Sequence, residues 1–345
     1  MTPQFHPFLI NDPFDDPGLY IDFLFERRAI LFDLGDLSNL SARKLLRVSH
    51  IFVSHTHVDH FIGFDQLVRT CLGRDKRIRL YGPSGFVEQI EHRLAGYTWN
   101  LVENYPTDFT VVAVEVDGDG SALSAEFHCR EGFHRSAGRS FMVDYGLLLD
   151  EENFSIHCAC LDHRTTSLAF CLEEKQHVNV MKNRLENLGL EVGPWLADLK
   201  RAVLQEKPDD TIIRASWKKA GGYEEREMKL GDLKGQVLQV VPGQKIAYVT
   251  DVVFSPANAG KIVTLAHDAD YLFIESTFLN EEADRARVKC HLTAAQAGSL
   301  ARQAGVTRVT PFHFSAKYNG EGYRLERELT EAFVGGAAAS IRLQK

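Results

Sequence analysis

Apolar and polar positions along this chain change rhythm repeatedly, and each rhythm predicts an element. GLYIDFLFE and RRAILFDLG, within residues 18–35, alternate or run apolar and meet near residues 26–28, as two adjacent strands would. A short helix over 41–47 follows. SHIFVSH carries a brief apolar run from Ile51 to Val53, whereas GFDQLVRTCLG sets Phe64, Leu67, Val68 and Leu72 at helical spacing. RIRLYGP reads as a strand stopped by Gly82 and Pro83, SGFVEQIEHRLAGY as a helix opened by Ser84, and DFTVVAVEV as a further strand.

From Phe127 to Leu172 short β runs recur in SFMVDYGLLLD, NFSIHCACLDH and SLAFCLEE. Residues 175–207 break that rhythm, becoming polar and helical around Gly193 and Pro194, and read as an insertion within one domain spanning 1–345. Strand texture returns in QKIAYVTD and DYLFIEST, followed by a helix from Thr293 to about Gln303 and a last strand in TRVTPFHF. No repeat period stands out, and GGAAAS near the C-terminus reads as a soft turn. Strands with interspersed helices, and polar residues at strand ends, predict a layered α/β sandwich.

Composition narrows the class. The 345 residues are 44% hydrophobic, enough to bury a full core. The N-terminus lacks a basic start followed by an apolar run, and no stretch reaches the ~18 apolar residues of a membrane span. The chain is therefore expected to be soluble, unexported and cytoplasmic. Six scattered cysteines without a CxxC pair fit reduced thiols, and Cys158 and Cys160 suit small buried positions. A net charge of -8 argues against coating nucleic acid by bulk electrostatics. Any RNA contact must be local. Residues 175–207 offer one candidate surface, with six Lys and Arg against four Asp and Glu.

The chemistry concentrates in HTHVDH, residues 55–60. Zinc takes imidazole nitrogen and carboxylate oxygen, so such groups must converge from a loop able to turn them inward. The i, i+2 spacing of His55 and His57 lets two imidazoles share one side of an extended segment. Asp59 and His60 follow too closely to reach the same point and suit a second ion beside the first. One loop would thus begin a two-metal site. Further ligands are needed, and His163, Asp251 and His313 each stand where a predicted strand opens into a loop. His134 and His267 compete with them on composition alone.

HTHVDH, LDHRTTSLAF, AYVTD, HLTAAQAGSLARQAGV and PFHFSAKY together resemble the metallo-β-lactamase fold, and within it the ribonuclease Z family, over roughly residues 30–320. The resemblance implies a four-layer αββα sandwich with a protruding helical insertion. It implies that His55, His57 and His163 hold one zinc, that Asp59, His60 and His313 hold the other, and that Asp251 bridges them. It places His291 to protonate the leaving oxygen and Asp59 beside the attacking water. Glu275 would orient His291, and Asp33 would support a ligating imidazole.

The same resemblance makes 175–207 an RNA-gripping arm, with Gly193, Pro194, Lys200 and Arg201 as contacts. It implies precursor tRNA as substrate, cleaved at its 3′ side, and a homodimer. The chain departs from the family at NDPFDDPGLYIDF, where a glycine-rich strand and a Pro-Thr-Arg-Asn type loop are usual. The histidine-rich ligands favour zinc, with manganese or iron able to occupy the same positions. Two other functions fit the metal residues: hydrolysis of a small phosphodiester or other ester, and zinc-stabilised RNA binding without catalysis. The last fits least, because structural zinc sites are usually closed tetrahedra of Cys and His.

Overall fold

Strands buried on both faces need cover on both faces, and the burial of alternate residues shows how this chain supplies it. The computed structural model describes residues 4–219 and 222–335; beyond Gly335 the expected GGAAAS turn lies outside the described residues. These residues form two compact units.

The larger unit contains residues up to Leu148, Ile156–Leu172 and those from Lys245 onward. Its first sheet takes strands β1 (Phe5–Leu9), β2 (Leu19–Phe23), β3 (Ala29–Phe32), β4 (Val48–Phe52), β5 (Lys76–Pro83), β6 (Phe109–Val116), β7 (Ser121–His128) and β8 (Arg139–Met142), in that order. The run from β3 to β6 is parallel and the outer pairs are antiparallel. Three strands then open a second sheet: β9 (Leu147–Asp150), β10 (Phe154–Asp162) and β11 (Thr166–Glu174). After β12 (His177–Val180), β13 (Ile212–Lys219), β14 (Gly222–Lys229) and β15 (Leu238–Val241), the second sheet is completed by β16 (Lys245–Val249), β17 (Tyr271–Glu275) and β18 (Arg308–Phe312). Its order is β18-β17-β16-β11-β10-β9, with β16 to β18 parallel.

Period-two alternation sorts each strand's residues onto two faces. Leu31 and Ile51 join an outer core with the helices Phe64–Cys71 and Phe86–Ala95. Their neighbours Phe32 and Phe52 turn inward, with ring centroids 5.4 and 5.7 Å from Phe170 of β11. On the second sheet Ala169 and Cys171 face outward with the helices Pro256–Leu265, Ala294–Gln303 and Gly322–Val334, while Tyr248 faces in, 5.7 Å from Phe32. Helices outside and two sheets inside make the αββα sandwich.

Local chemistry departs from the sequence pattern at several points. The helix after β5 begins at Phe86, capped by Gly85 at φ 88°, and Ser84 does not cap it. SFMVDYGLLLD is two strands rather than one run. Tyr145 (φ 49°) and Gly146 (φ 72°) turn the chain from the first sheet into the second, and a Cβ on Gly146 would lie 2.3 Å from the Cys158 carbonyl oxygen. Only glycine fits there. The strands β1 and β7 and the helices Pro256–Leu265 and Gly322–Val334 were not predicted by periodicity.

The smaller unit comprises Leu149–Ser155 and Glu173–Gln244. β12 pairs with β15, and β13 and β14 form an antiparallel hairpin that the polar, helical reading of 175–207 did not extend to. Its own core gathers Trp195, Leu199, Trp217, Leu230 and Leu233. Trp195 is a core anchor, its Nε1 donating to the Glu191 carbonyl at 3.0 Å. Over residues 173–244 twelve Lys and Arg face twelve Asp and Glu, so the basic excess of 175–207 does not extend to the whole segment. Among the described residues no helix is long and apolar enough to cross a membrane.

Candidate metal centre

Parallel strands bring their carboxyl ends to one edge of a sheet, where ligands of open α/β sheets gather. Asp33 follows β3 directly, and His55 stands three residues past β4. In the second sheet Asp251 follows β16, Glu275 ends β17, and His313 follows β18; His163 follows β10. Asp33 (φ 60°), Asp251 (φ 31°) and His313 (φ 59°) are left-handed although none is glycine. Such a conformation costs on the order of 1–3 kcal/mol per residue and concentrates at functional sites. The one-turn helix Val58–Phe61, capped by the backbone of His57, presents Asp59 and His60.

Asp251 is the hub, and its two oxygens face different partners. Oδ2 lies 3.6 Å from His55 Nε2 and 3.4 Å from His163 Nε2. Oδ1 lies 3.4 Å from His60 Nε2 and 3.1 Å from His313 Nδ1. Asp59 Oδ2 completes the second side, 3.2 Å from His313 Nε2 and 3.5 Å from His60 Nε2. His57 stacks edge-on to His55 at 4.3 Å between ring centroids. Two sets of possible ligand atoms, His55, His57, His163 with Asp251, and Asp59, His60 with His313, each lie within 4.8 Å of one another.

The residues fit metal ions on their own evidence. His55 Nε2, His60 Nε2 and His313 Nδ1 are buried yet lack a hydrogen-bond partner among the described residues. Buried polar atoms seldom go unpaired, so three such nitrogens aimed at one carboxylate call for a cation. Burial, reinforced by His60, pushes the His55 imidazole down to about 2, leaving it a neutral nitrogen donor. Burial also lowers His57, helped by His163. For Asp251 burial favours the neutral acid, but His313 and His60 outweigh it and hold the carboxyl well below its ordinary value. Asp59 sits at about 2 for the same balance, with burial opposed by His313 and His60.

Around these lies a frame that fixes ring orientations. His60 Nδ1 meets Asp33 Oδ2 at 2.9 Å, and Asp33 also accepts from the Ser54 amide, the Ser54 hydroxyl and Tyr248 OH at 2.6, 2.9 and 2.9 Å. Burial would lower His60, yet Asp251 and Asp33 hold it well above its ordinary value. His163 Nδ1 lies 2.8 Å from the carbonyl oxygen of Cys290, a residue at φ 62° that ends the helix Ala283–Lys289. His291 comes next, with Nδ1 2.8 Å from Glu275 Oε2 and 4.0 Å from Asp251 Oδ1. Glu275 is held by the Val252 amide at 2.7 Å and the Thr277 hydroxyl at 2.6 Å. Burial works against the His291 cation, but Glu275 and Asp251 raise it to about 9. The reciprocal capping box of Thr293 and Gln296 fixes the helix that begins just after it.

The residues considered for RNA contact stand in the smaller unit. A Cβ on Gly193 would lie 2.5 Å from the Ser216 carbonyl oxygen, which gives that glycine a packing role. Pro194 caps the helix Trp195–Leu204, Lys200 is half-buried, and exposed Arg201 pairs with Asp198 at 3.3 Å. His134 and His267 are exposed and belong to neither group. Sequence reasoning missed Ser54, Tyr248 and the Cys290 carbonyl. A backbone carbonyl carries no residue signature, whereas Ser54, adjoining the histidine cluster, was open to notice.

Fold and cradle together define a metallohydrolase of the metallo-β-lactamase fold. Human tRNase Z, short form, superposes with a TM-score of 0.52 at 19% identity, covering 91% of this chain and 93% of that one. The metallo-β-lactamase fold protein YhfI from Bacillus subtilis gives 0.52 at 14% identity, covering 93% and 86%. No family model matches the chain. In sequence it resembles ribonuclease Z: the protein of that name from Deinococcus radiodurans is 27% identical over 298 residues, 86% of this chain and 85% of the relative.

Proposed function

We propose that the chain is an endoribonuclease of the ribonuclease Z type, cleaving precursor tRNA at its 3′ side with two divalent metal ions. The observation that carries the chemistry is the division of Asp251, one oxygen toward His55 and His163 and the other toward His60 and His313. A carboxylate so divided suits a bridge between two ions. His55, His57 and His163 would hold one ion, and Asp59, His60 and His313 the other. Zinc matches these nitrogen and oxygen donors best, with manganese and iron as alternatives. Bound there, the metals would acidify a water and neutralise charge gathering on the attacked phosphate.

The chain's own groups supply the rest. Asp59, half-exposed at the mouth, orients the attacking water and accepts its proton. The 2.8 Å bond to Glu275 occupies His291 Nδ1 and leaves Nε2 for the substrate. A ring held as a cation at neutral pH can hand its Nε2 proton to the departing sugar oxygen, which general-acid catalysis requires. Similarity to ribonuclease Z over most of the chain supports RNA as the substrate class. Lys200 and Arg201 are proposed as local phosphate contacts on the insertion, in a cytoplasmic homodimer.

Turnover of a precursor tRNA with a 3′ trailer, set beside turnover of bis(p-nitrophenyl) phosphate, tests this reading. We expect efficient cleavage of the RNA. Hydrolysis confined to the small phosphodiester would overturn the substrate and keep the metal chemistry.

A further inference from the structure

We propose that a cleft on the inner face of the first sheet, between Arg79 and Arg139, binds the phosphate of a nucleotide whose base lies on the cleft's apolar floor. The first sheet has eight strands and the second has six. On β3 and β4 the inner positions carry Phe32 and Phe52, which meet the second sheet. Further along, the inner face changes character: Arg79 stands on β5, Glu126 on β7 and Arg139 on β8. These positions line a cleft of about 550 Å³, within the usual range of small-molecule sites. None of the residues of the metal centre lines it.

The floor is apolar and the walls are basic. Val112, Val114 and Tyr81 are buried side chains beneath the cleft, and exposed Phe141 presents an aromatic ring at one side. Glu126 contributes a carboxylate, but Arg77 and His128 already occupy it. Arg79 and Arg139 are both exposed, and neither guanidinium has a hydrogen-bond or ion-pair partner among the described residues. The register places Arg79 beside Val112, and Arg139 beside Ser124, which in turn pairs with Val114. Three strand spacings of about 4.8 Å and a two-residue offset of about 7 Å along β6 put the two Cα atoms roughly 16 Å apart. Two long side chains can therefore reach an anion lying between them. Guanidinium groups match phosphate oxygens in pairs, and the apolar floor distinguishes a nucleotide from a bare anion.

The nucleotide could be a unit of the RNA substrate or a free molecule, and calorimetric titration with 5′-AMP, joined to RNA kinetics, separates the two. The metal-loaded protein is compared with Arg79→Ala, Arg139→Ala and His57→Ala. We expect saturable 5′-AMP binding that weakens about tenfold in each arginine variant, the loss typical of a hydrogen bond to a charged group, and that survives in His57→Ala. A parallel rise in KM for precursor tRNA assigns the site to the substrate chain; an unchanged KM assigns it to a free nucleotide. Only the KM comparison rests on the ribonuclease reading. Absence of saturable 5′-AMP binding, binding unchanged in both arginine variants, or binding lost in His57→Ala overturns the proposal.

Discussion

The Nδ1 of His60 and the Oδ2 of Asp33 stand 2.9 Å apart with both side chains wholly buried. Asp33 also receives both donors of Ser54 and the hydroxyl of Tyr248, so one carboxylate ties the loop after β4 to both sheets. Removing it strands a buried imidazole and leaves those donors unpaired. We predict that Asp33→Ala lowers unfolding free energy by about 3–5 kcal/mol, the usual loss when a buried pair is broken. Urea unfolding checks this; a change below about 1 kcal/mol would show that His60 needs no such partner.

His57 is exposed, and its backbone, not its side chain, caps the helix behind it. His57→Ala should therefore lose chiefly one metal equivalent, and activity with it, while leaving the circular dichroism spectrum and melting temperature of the metal-free protein near those of the parent. Full hydrolysis in this variant would exclude His57 as a ligand.

The divided carboxylate predicts a stoichiometry. Asp251→Asn should lose both metal equivalents, whereas His163→Ala and His313→Ala should each lose chiefly one. Asparagine tolerates the left-handed backbone at this position, which limits damage to the fold. Metal analysis of the dialysed variants decides the matter, and two retained equivalents in Asp251→Asn would rule out the bridge.

Glu275 raises His291, so its removal has a signed consequence. The proton donor is present below the His291 pKa, held up at about 9, and disappears as pH rises through it. Glu275→Gln lowers that pKa, so the alkaline limb of kcat should move to lower pH while the acid limb stays. The same pair adds stability fully below the ordinary histidine value of about 6.5, and that gain fades as pH rises toward the folded value. An alkaline limb that stays in place would mean that His291 does not supply the proton.

Much of this molecule was legible because its chemistry lies in residue types at strand ends. His55, His57, Asp59 and His60 announce themselves in six positions, and the unbroken apolar runs AILF and IAYV foretell strands covered on both faces. Strand β14 stayed hidden because GYEEREMK is charged and exposed along most of its length and lacks a buried face to give it a period, whereas β13, which buries Ile213, Ala215 and Trp217 in alternation, was open to notice. The helix Pro256–Leu265 was obscured by its interior glycine, although Ser255 followed by Pro256 is a helix-start signal that was open to notice. Gly85 displaced Ser84 as the helix cap because the chain enters that helix left-handed, which glycine permits most readily.

The most direct measurement is the product end of precursor tRNA cleavage by protein shown to carry two metal equivalents, mapped to the nucleotide. We predict a single cut just after the discriminator base, abolished in His57→Ala and slowed in Glu275→Gln. Intact RNA after incubation with fully metal-loaded protein, or cuts scattered along the chain, would contradict the ribonuclease Z reading.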